Sequence, residues 1–518
     1  MRWAVLAIMV VSLVLECWGL PRDLPQASEV DEPLAVRPAL HIAATGDLNP
    51  HWFGHPASTS VYPLAGIYHV WDVVARGGPI FSSNSELARL SETARGEFFF
   101  IGRLWSIAFA VGAIPLIFLL GRRCFSTAVG LVGASLWALV PLAVDYGRIA
   151  RSDSASWFFA LLSLLLIVRL LDHPTLRNHL LAGISIGVGI SARYFIVMLL
   201  PVLVAAGVIA IRRRVPGASF RRVGAGVGAA VVTFLLTTPF FLLDWPAARR
   251  SLEVEWGAHP GHDGFSRLGN LRWYLGNAIP NTITWPIAIL AVAGMVLMLA
   301  RRRNARQLLL LAAAVVFVVG ISASDLHWER WPLPILPLVT LFAAHALVTV
   351  VSAARAHVAQ LAPVPATAVG LALVAIVPAK DVVELNVLHS RPSTRLAARE
   401  WIAAHVPRGS IVVKEQKTAP LEGMGLRSAY SRALVESGRT LDQYRADGVR
   451  YLITNAAISA AYRLQPRRYP SEAAFYRQLL QESCLLHEFR PTAHRDGPII
   501  RVWELMPVGA GCGARPPV

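Results

Sequence analysis

Charge is scarce in this sequence: only 16% of its 518 residues are Asp, Glu, Lys or Arg, while 55% are hydrophobic and the mean hydropathy is +0.50. Soluble domains carry about 25% charged residues, so the deficit excludes an ordinary soluble enzyme and makes a multi-pass membrane protein the default. Cysteine is scarcer still. The four present are Cys17, Cys124, Cys484 and Cys512. No CxxC pair or Cys/His metal spacing occurs among them, which excludes zinc-finger-like modules. Only Cys484 and Cys512 share a region where a disulfide can form. Acidic residues are outnumbered 32 to 49, giving a formal net charge of +17. The surplus does not point to nucleic acid, because the arginines sit in short gaps between apolar segments, where they anchor helices on the cytoplasmic side.

Long apolar runs are what the chain has instead. Read at roughly 20 residues per helix for a 30 Å hydrocarbon core, they give about eleven spans, at 3–19, 98–120, 126–144, 154–171, 179–192, 195–211, 223–243, 283–300, 307–323, 332–350 and 363–380. The fifth and sixth are short and separated by little more than Ser191-Ala192-Arg193. If the N-terminus with Arg2 is cytoplasmic, every second gap should be basic. Those gaps hold Arg122-Arg123, Arg177, Arg212 to Arg214 with Arg221-Arg222, Arg301 to Arg303 with Arg306, and Arg355. Glu16 and the lack of an A-x-A site before Pro21 favour a retained first helix over a cleaved signal peptide.

The opposite gaps collect the unusual polar residues. Residues 20–97 form a first external loop with helix-compatible stretches at 33–44 and 63–75, which suit helices lying in the membrane interface. Residues 145–153 lead into the fourth span, and 244–282 form a second large external loop. Beyond residue 381 the pattern changes to a helix at 394–405, strands at 410–414 and 448–454, a helix at 471–480 and a last strand at 499–505. That is a small α/β domain of about 140 residues, large enough to bury its own core. It contains no Gly-rich phosphate loop.

Carboxylates beyond a membrane helix can be held at the bilayer surface, where a lipid-borne donor meets a water-soluble acceptor. Asp31-Glu32, about a dozen residues, Gly46-Asp47-Leu48-Asn49-Pro50-His51-Trp52-Phe53 and then Tyr62-Pro63-Leu64 make such a loop. The pattern resembles the first external loop of the GT-C superfamily of polyprenyl-phosphate-sugar glycosyltransferases, nearest to the protein mannosyltransferases and lipid A aminoarabinose transferases. Tyr146 to Asp153, His327 to Pro337 and Arg395 to Ser410 fit the same family in order. The aminoarabinose transferases carry an Arg shortly after the acidic pair and a Lys before paired prolines; here those places read Pro33-Leu34 and Val61-Tyr62-Pro63-Leu64. A WWDYG-type oligosaccharyltransferase signature is also missing.

The resemblance implies that Asp31 deprotonates or orients the acceptor, and that Asp153 belongs to a second acidic motif. Chemistry asks for the same parts: a base within reach of the attacking hydroxyl and donors for the departing phosphate. Glu32 is read as holding a neighbouring group, and Asp47 as a weaker competitor for either role, with His51 and Tyr62 as substrate contacts in the same loop. Asp31 and Asp153 also suit helix N-caps, the bland alternative. Arg148 and Arg151 break the positive-inside pattern and are candidates for phosphate contact. So is Arg330, whose alternative is an ion pair with Glu329 or Asp325. His259 and His262, with Asp263, have ligand-type side chains, but the intervening Pro-Gly reads as a loop covering the donor more than as a metal site.

The reading is therefore a polytopic α-helical membrane protein of GT-C type. Its transmembrane catalytic domain is 1–380 and its external α/β domain 381–518. It would be a multi-pass protein of a bacterial-type plasma membrane, with a cytoplasmic N-terminus and a periplasmic C-terminal domain. It would transfer a monosaccharide from a polyprenyl-phosphate-sugar to an envelope glycan, lipid or protein, with no cofactor. The alternatives are a polyprenyl-linked glycan transporter and a non-catalytic assembly protein. Transporters tend to show internal repeats and mid-membrane ionisable residues, whereas here the polar residues gather on one side.

Overall fold

The computed structural model describes residues 1–25, 31–76, 95–301, 304–357 and 363–506. Parts of the loop expected to be external (26–30 and 77–94), Arg302-Arg303 and Cys512 lie outside them. Among the described residues, seven helices are long and apolar enough to cross a membrane, and nine spans result when each of two bent pairs counts as one. The first pair, Thr127–Trp137 and Pro141–Gly147, bends by 68° where Pro141, which has no N–H to donate, begins the second helix. The second, Arg267–Ile283 and Trp285–Ala300, bends by 120° at Thr284, whose φ is +73°. The remaining two expected spans are helices of 16 and 17 residues, Arg2–Cys17 and Leu176–Ala192. Both fall short of the roughly 20 residues of a full crossing.

Small residues let these helices approach closely. A Cβ on Gly183 would lie 2.0 Å from the Gly226 carbonyl oxygen, and one on Gly294 would lie 1.9 Å from that of Phe342. The obstacle is backbone, which cannot swing aside. Gly294→Val is thus expected to cost at least the 1–3 kcal/mol typical of overpacking, seen as a lower unfolding temperature and a smaller monodisperse fraction in detergent.

Polar contacts sort the gaps into two ends. Arg123 and Arg306 both pair with Asp172, at 3.0 and 2.9 Å, and Asn304 Nδ2 donates to the Cys124 carbonyl at 3.2 Å. Three of the expected cytoplasmic gaps therefore meet at one end of the bundle. At the other end, helices Pro33–Thr45 and Ser58–Arg76 pack on each other and on Arg95–Cys124 through Val36, Leu40, Leu64, Tyr68 and Phe98. Pro33 occupies the first turn of its helix, where the missing N–H costs nothing.

The C-terminal domain is a five-stranded sheet of β1 (Ile411–Glu415), β2 (Arg427–Ser431), β3 (Tyr451–Asn455), β4 (Ser483–Phe489) and β5 (Ile500–Leu505), in the order β2-β1-β3-β5-β4. β1 runs parallel to β2 and β3, while β5 is antiparallel to β3 and β4. Side chains alternate between two cores: Tyr451, Ile453 and Val502 face Ala398 and Ile402 of helix Thr394–His405, while Leu452 and Trp503 face Tyr476 and Leu479 of helix Pro470–Glu482. Cys484 is disulfide-bonded, and Cys17 and Cys124 are free thiols.

Candidate active site

The site is built on the elbow that precedes helix Pro33–Thr45. Glu32 is completely buried; its two oxygens accept from Nε and Nη2 of Arg103 at 2.8 and 3.0 Å, and Oε1 also accepts the Ala150 N–H at 3.0 Å. This fork-to-fork pair fixes direction as well as distance. It ties the elbow to a membrane helix and to the 148–153 loop at once, so the neighbouring Asp31 is aimed rather than free. Asp31 does not cap the helix: Glu32 is the N-cap residue, and it makes no side-chain cap bond.

Asp31 is turned toward arginines. Arg151 donates to it through Nη1, and Arg330 Nη2 lies 4.0 Å away. Arg151 Nε also pairs with Asp153 at 3.0 Å, and Arg193 Nη2 donates to the same carboxylate oxygen at 2.8 Å. Asp153 is thus a buried ion-pair partner and not a helix cap. The Arg330 guanidinium stacks over Trp328, 4.3 Å from the ring centre. Three guanidinium groups face two carboxylates, and Arg151 Nη2, Arg193 Nε and Arg330 Nε are buried with no acceptor among the described residues. A buried donor left unused costs about 1–3 kcal/mol. Spare donors and spare positive charge together suit an oxyanion, and the planar guanidinium suits phosphate best.

The charges set the protonation states. Burial alone would raise the Asp31 pKa, but Arg151, Arg330 and Lys417 outweigh it and hold the carboxyl well below its usual range. Burial likewise works against the charge on Arg151, and Asp153 and Asp31 restore it. His55 is driven the other way: burial, then Arg193 and Arg151, push its pKa far down, so it is a neutral imidazole, and its Nδ1 has no partner among the described residues.

Of the residues expected from sequence, the fold brings together Asp31, Asp153, Arg151 and Arg330. His262 joins them indirectly, with its ring stacked on Trp328 at 3.5 Å and 16°; burial, with Lys417 and Arg330, lowers its pKa to about 3. His259 accompanies Lys417 and Arg432 in lining a cavity between the 259–262 loop and the C-terminal domain. Asp263 instead accepts from Tyr469 and pairs with Arg468 at 3.4 Å, so it does not complete a ligand set with the two histidines. Arg148 lies apart from the cluster. It is spent on the Trp18 carbonyl, Asn386 and His389, which staple the first helix to Pro363–His389. Asp47 and His51 pair with each other on the exposed rim. Tyr62 donates to the Leu48 carbonyl at 3.2 Å and lines an apolar groove with Trp105, Phe109, Phe159 and Phe240.

Arg193, His55 and Lys417 were not among the residues expected. Arg193 lay in what read as a mere hairpin turn, and Lys417 belongs to the other domain. Helix Arg95–Cys124 contributes to both features: Trp105 lines the groove, and the Ser106 hydroxyl donates to the Arg151 carbonyl at 3.0 Å.

The family model described as dolichyl-phosphate-mannose-protein mannosyltransferase matches residues 87–242. Among solved structures, ArnT from Cupriavidus metallidurans in the apo state aligns with a TM-score of 0.55 at 16% identity, covering 96% of this chain and 97% of that one. The chain has the GT-C fold. ArnT bound to undecaprenyl phosphate gives a TM-score of 0.54 at 16% identity, with 96% and 97% covered. The GT-C oligosaccharyltransferase AglB from Archaeoglobus fulgidus, in complex with an inhibitory peptide and a dolichol-phosphate, gives 0.51 at 13% identity, with 91% of this chain and 72% of that one covered. No curated protein sequence matches. The GT-C likeness spans both the helical bundle and the C-terminal domain, as the coverage requires.

Proposed function

We propose that this chain is an integral-membrane glycosyltransferase that moves one sugar from a polyprenyl-phosphate donor to an acceptor at the membrane surface. The observation that carries the reading is the set of buried guanidinium donors left without an acceptor among the described residues, in a fold that also carries an apolar groove. The groove takes the polyprenyl chain, and Arg151 and Arg330 take the phosphate. The acceptor hydroxyl oxygen attacks the anomeric carbon as the bond from that carbon to the phosphate oxygen breaks. The hydroxyl proton passes to Asp31, and the electron pair leaves with the polyprenyl phosphate. A single displacement from one face inverts the anomeric centre.

In the free protein Asp31 is a weak base because arginines surround it. A donor phosphate competes for the same arginines and so restores basicity to Asp31 where it is needed. The site end of the bundle and the C-terminal domain face the periplasm in this reading, with the Asp172 end in the cytoplasm.

Mass spectrometry of envelope glycans, lipids and polyprenyl-phosphate sugars, in cells with and without the protein, tests it. A glycan, lipid or protein lacking one sugar in the null, with the charged polyprenyl-phosphate sugar accumulating, is the expected result. Unchanged sugars trapped on the cytoplasmic face would instead mean transport.

A further inference from the structure

A second polar cluster stands on the rim, apart from the arginines. His41, Asp47 and His51 each offer one ligand atom, and the three atoms lie within 4.8 Å of one another. Asp47 Oδ2 is 3.0 Å from His51 Nε2 and 3.8 Å from His41 Nε2. With metal–ligand bonds of about 2.0–2.2 Å, tetrahedral zinc sets its ligand atoms about 3.3–3.5 Å apart. The observed spacing brackets that value without moving any backbone. We propose that His41, Asp47 and His51 form a binding site for a divalent transition-metal ion, zinc by preference, that secures the first external loop at the mouth of the groove.

The surroundings are those of a ligand set. Asp47 Oδ1 accepts the Asn49 N–H at 2.9 Å, which leaves Oδ2 as the single coordinating oxygen. With Nε2 of His51 on the metal, its Nδ1 lies on the side of Asp244 Oδ2, at 3.8 Å, the order of groups seen in carboxylate–histidine–metal arrangements, although this separation is longer than a hydrogen bond. Asp244 is itself held by Asn49 Nδ2 at 2.8 Å and caps helix Trp245–Glu255 through the Ala247 N–H. Two imidazoles and one carboxylate select zinc, nickel or copper over magnesium or calcium, which prefer all-oxygen sites. The fourth position is open to water, since all three side chains are partly exposed.

The location gives the ion a task. His41 lies on helix Pro33–Thr45, which follows Asp31, while His51 and Asp47 belong to the segment that carries Leu48 into the groove wall. Bridging them would hold the groove's rim in register with the helix that positions Asp31. Metal binding here is read from the ion alone, so its test does not depend on the transfer reading.

Full-length, untagged protein in detergent, stripped with chelator and dialysed against buffered zinc, should retain one equivalent by elemental analysis. Cobalt in its place should give the visible absorption of a tetrahedral ion. His41→Ala and His51→Ala should each abolish both signals with no change in elution profile, and His51→Cys, which replaces one ligand with another, should retain them. Metal content equal in the alanine variants and the wild type, or no metal held by the wild type, overturns the proposal.

Discussion

Asp31→Asn is expected to lower sugar transfer by about 10²–10⁴-fold, the usual worth of a positioned base, while the protein inserts and folds as before. Asparagine keeps the shape and one acceptor oxygen but cannot take the proton. Folding should tolerate the change, because the Asp31 side chain is 29% exposed and Arg151 keeps Asp153 as a partner at 3.0 Å. The pH profile follows from the direction of the shift. A depressed pKa leaves Asp31 ionised from neutrality down through the ordinary carboxylate range near 3.9. Its ion pair therefore stabilises the fold above that range and is lost only as the pH falls through the lower folded value. No acidic limb from Asp31 should appear in kcat/KM between pH 5 and 8. His55→Gln is the informative partner variant, since His55 is held neutral and its Nδ1 has no hydrogen-bond partner among the described residues. Near-normal turnover in Asp31→Asn with loss in His55→Gln would transfer the base role to the histidine.

The hydrophobic runs made the bundle legible, because each span needs only length and apolarity to declare itself. Bends were not legible: Pro141 looked like one residue in a continuous run, and the break at Thr284 depends on a backbone conformation that composition does not reveal. In the C-terminal domain, β3 was readable as a buried run, whereas β2, Arg-Ser-Ala-Tyr-Ser, is an exposed edge strand with no apolar alternation. β4 follows helix Pro470–Glu482 directly, with no turn residue to mark the change. At the site, Asp31, Asp153, Arg151 and Arg330 stood out because charge at the end of a span is expensive and seldom idle. Arg193 was hidden by the shortness of its turn, and Lys417 by lying more than 380 residues from Asp31 in sequence while acting on its charge. Arg148 shows the opposite error: an equally unusual arginine, whose donors the fold consumes on Trp18, Asn386 and His389.

Arg330→Ala is expected to cost about 10²–10³-fold in transfer, the price of one donor removed from a developing oxyanion. Its hold on the protein is light: the Asp31 carboxylate is 4.0 Å away, Nε has no acceptor among the described residues, and its guanidinium lies over the face of Trp328. Truncation should therefore leave the unfolding temperature nearly unchanged, in contrast to Arg148→Ala, which empties a fully used and buried position. If the guanidinium meets the phosphate mainly as charge develops on it, kcat and kcat/KM fall together. Arg330→Lys should recover only part of the loss, because an ammonium keeps the charge but gives up the planar fork and the stacking on Trp328. Inhibition by free polyprenyl phosphate should weaken in the same order, wild type, lysine, alanine. Unchanged rate and unchanged inhibition in the alanine variant would leave Arg330 a partner of Trp328 and Asp31 alone, and phosphate binding would then have to rest on Arg151 and Arg193.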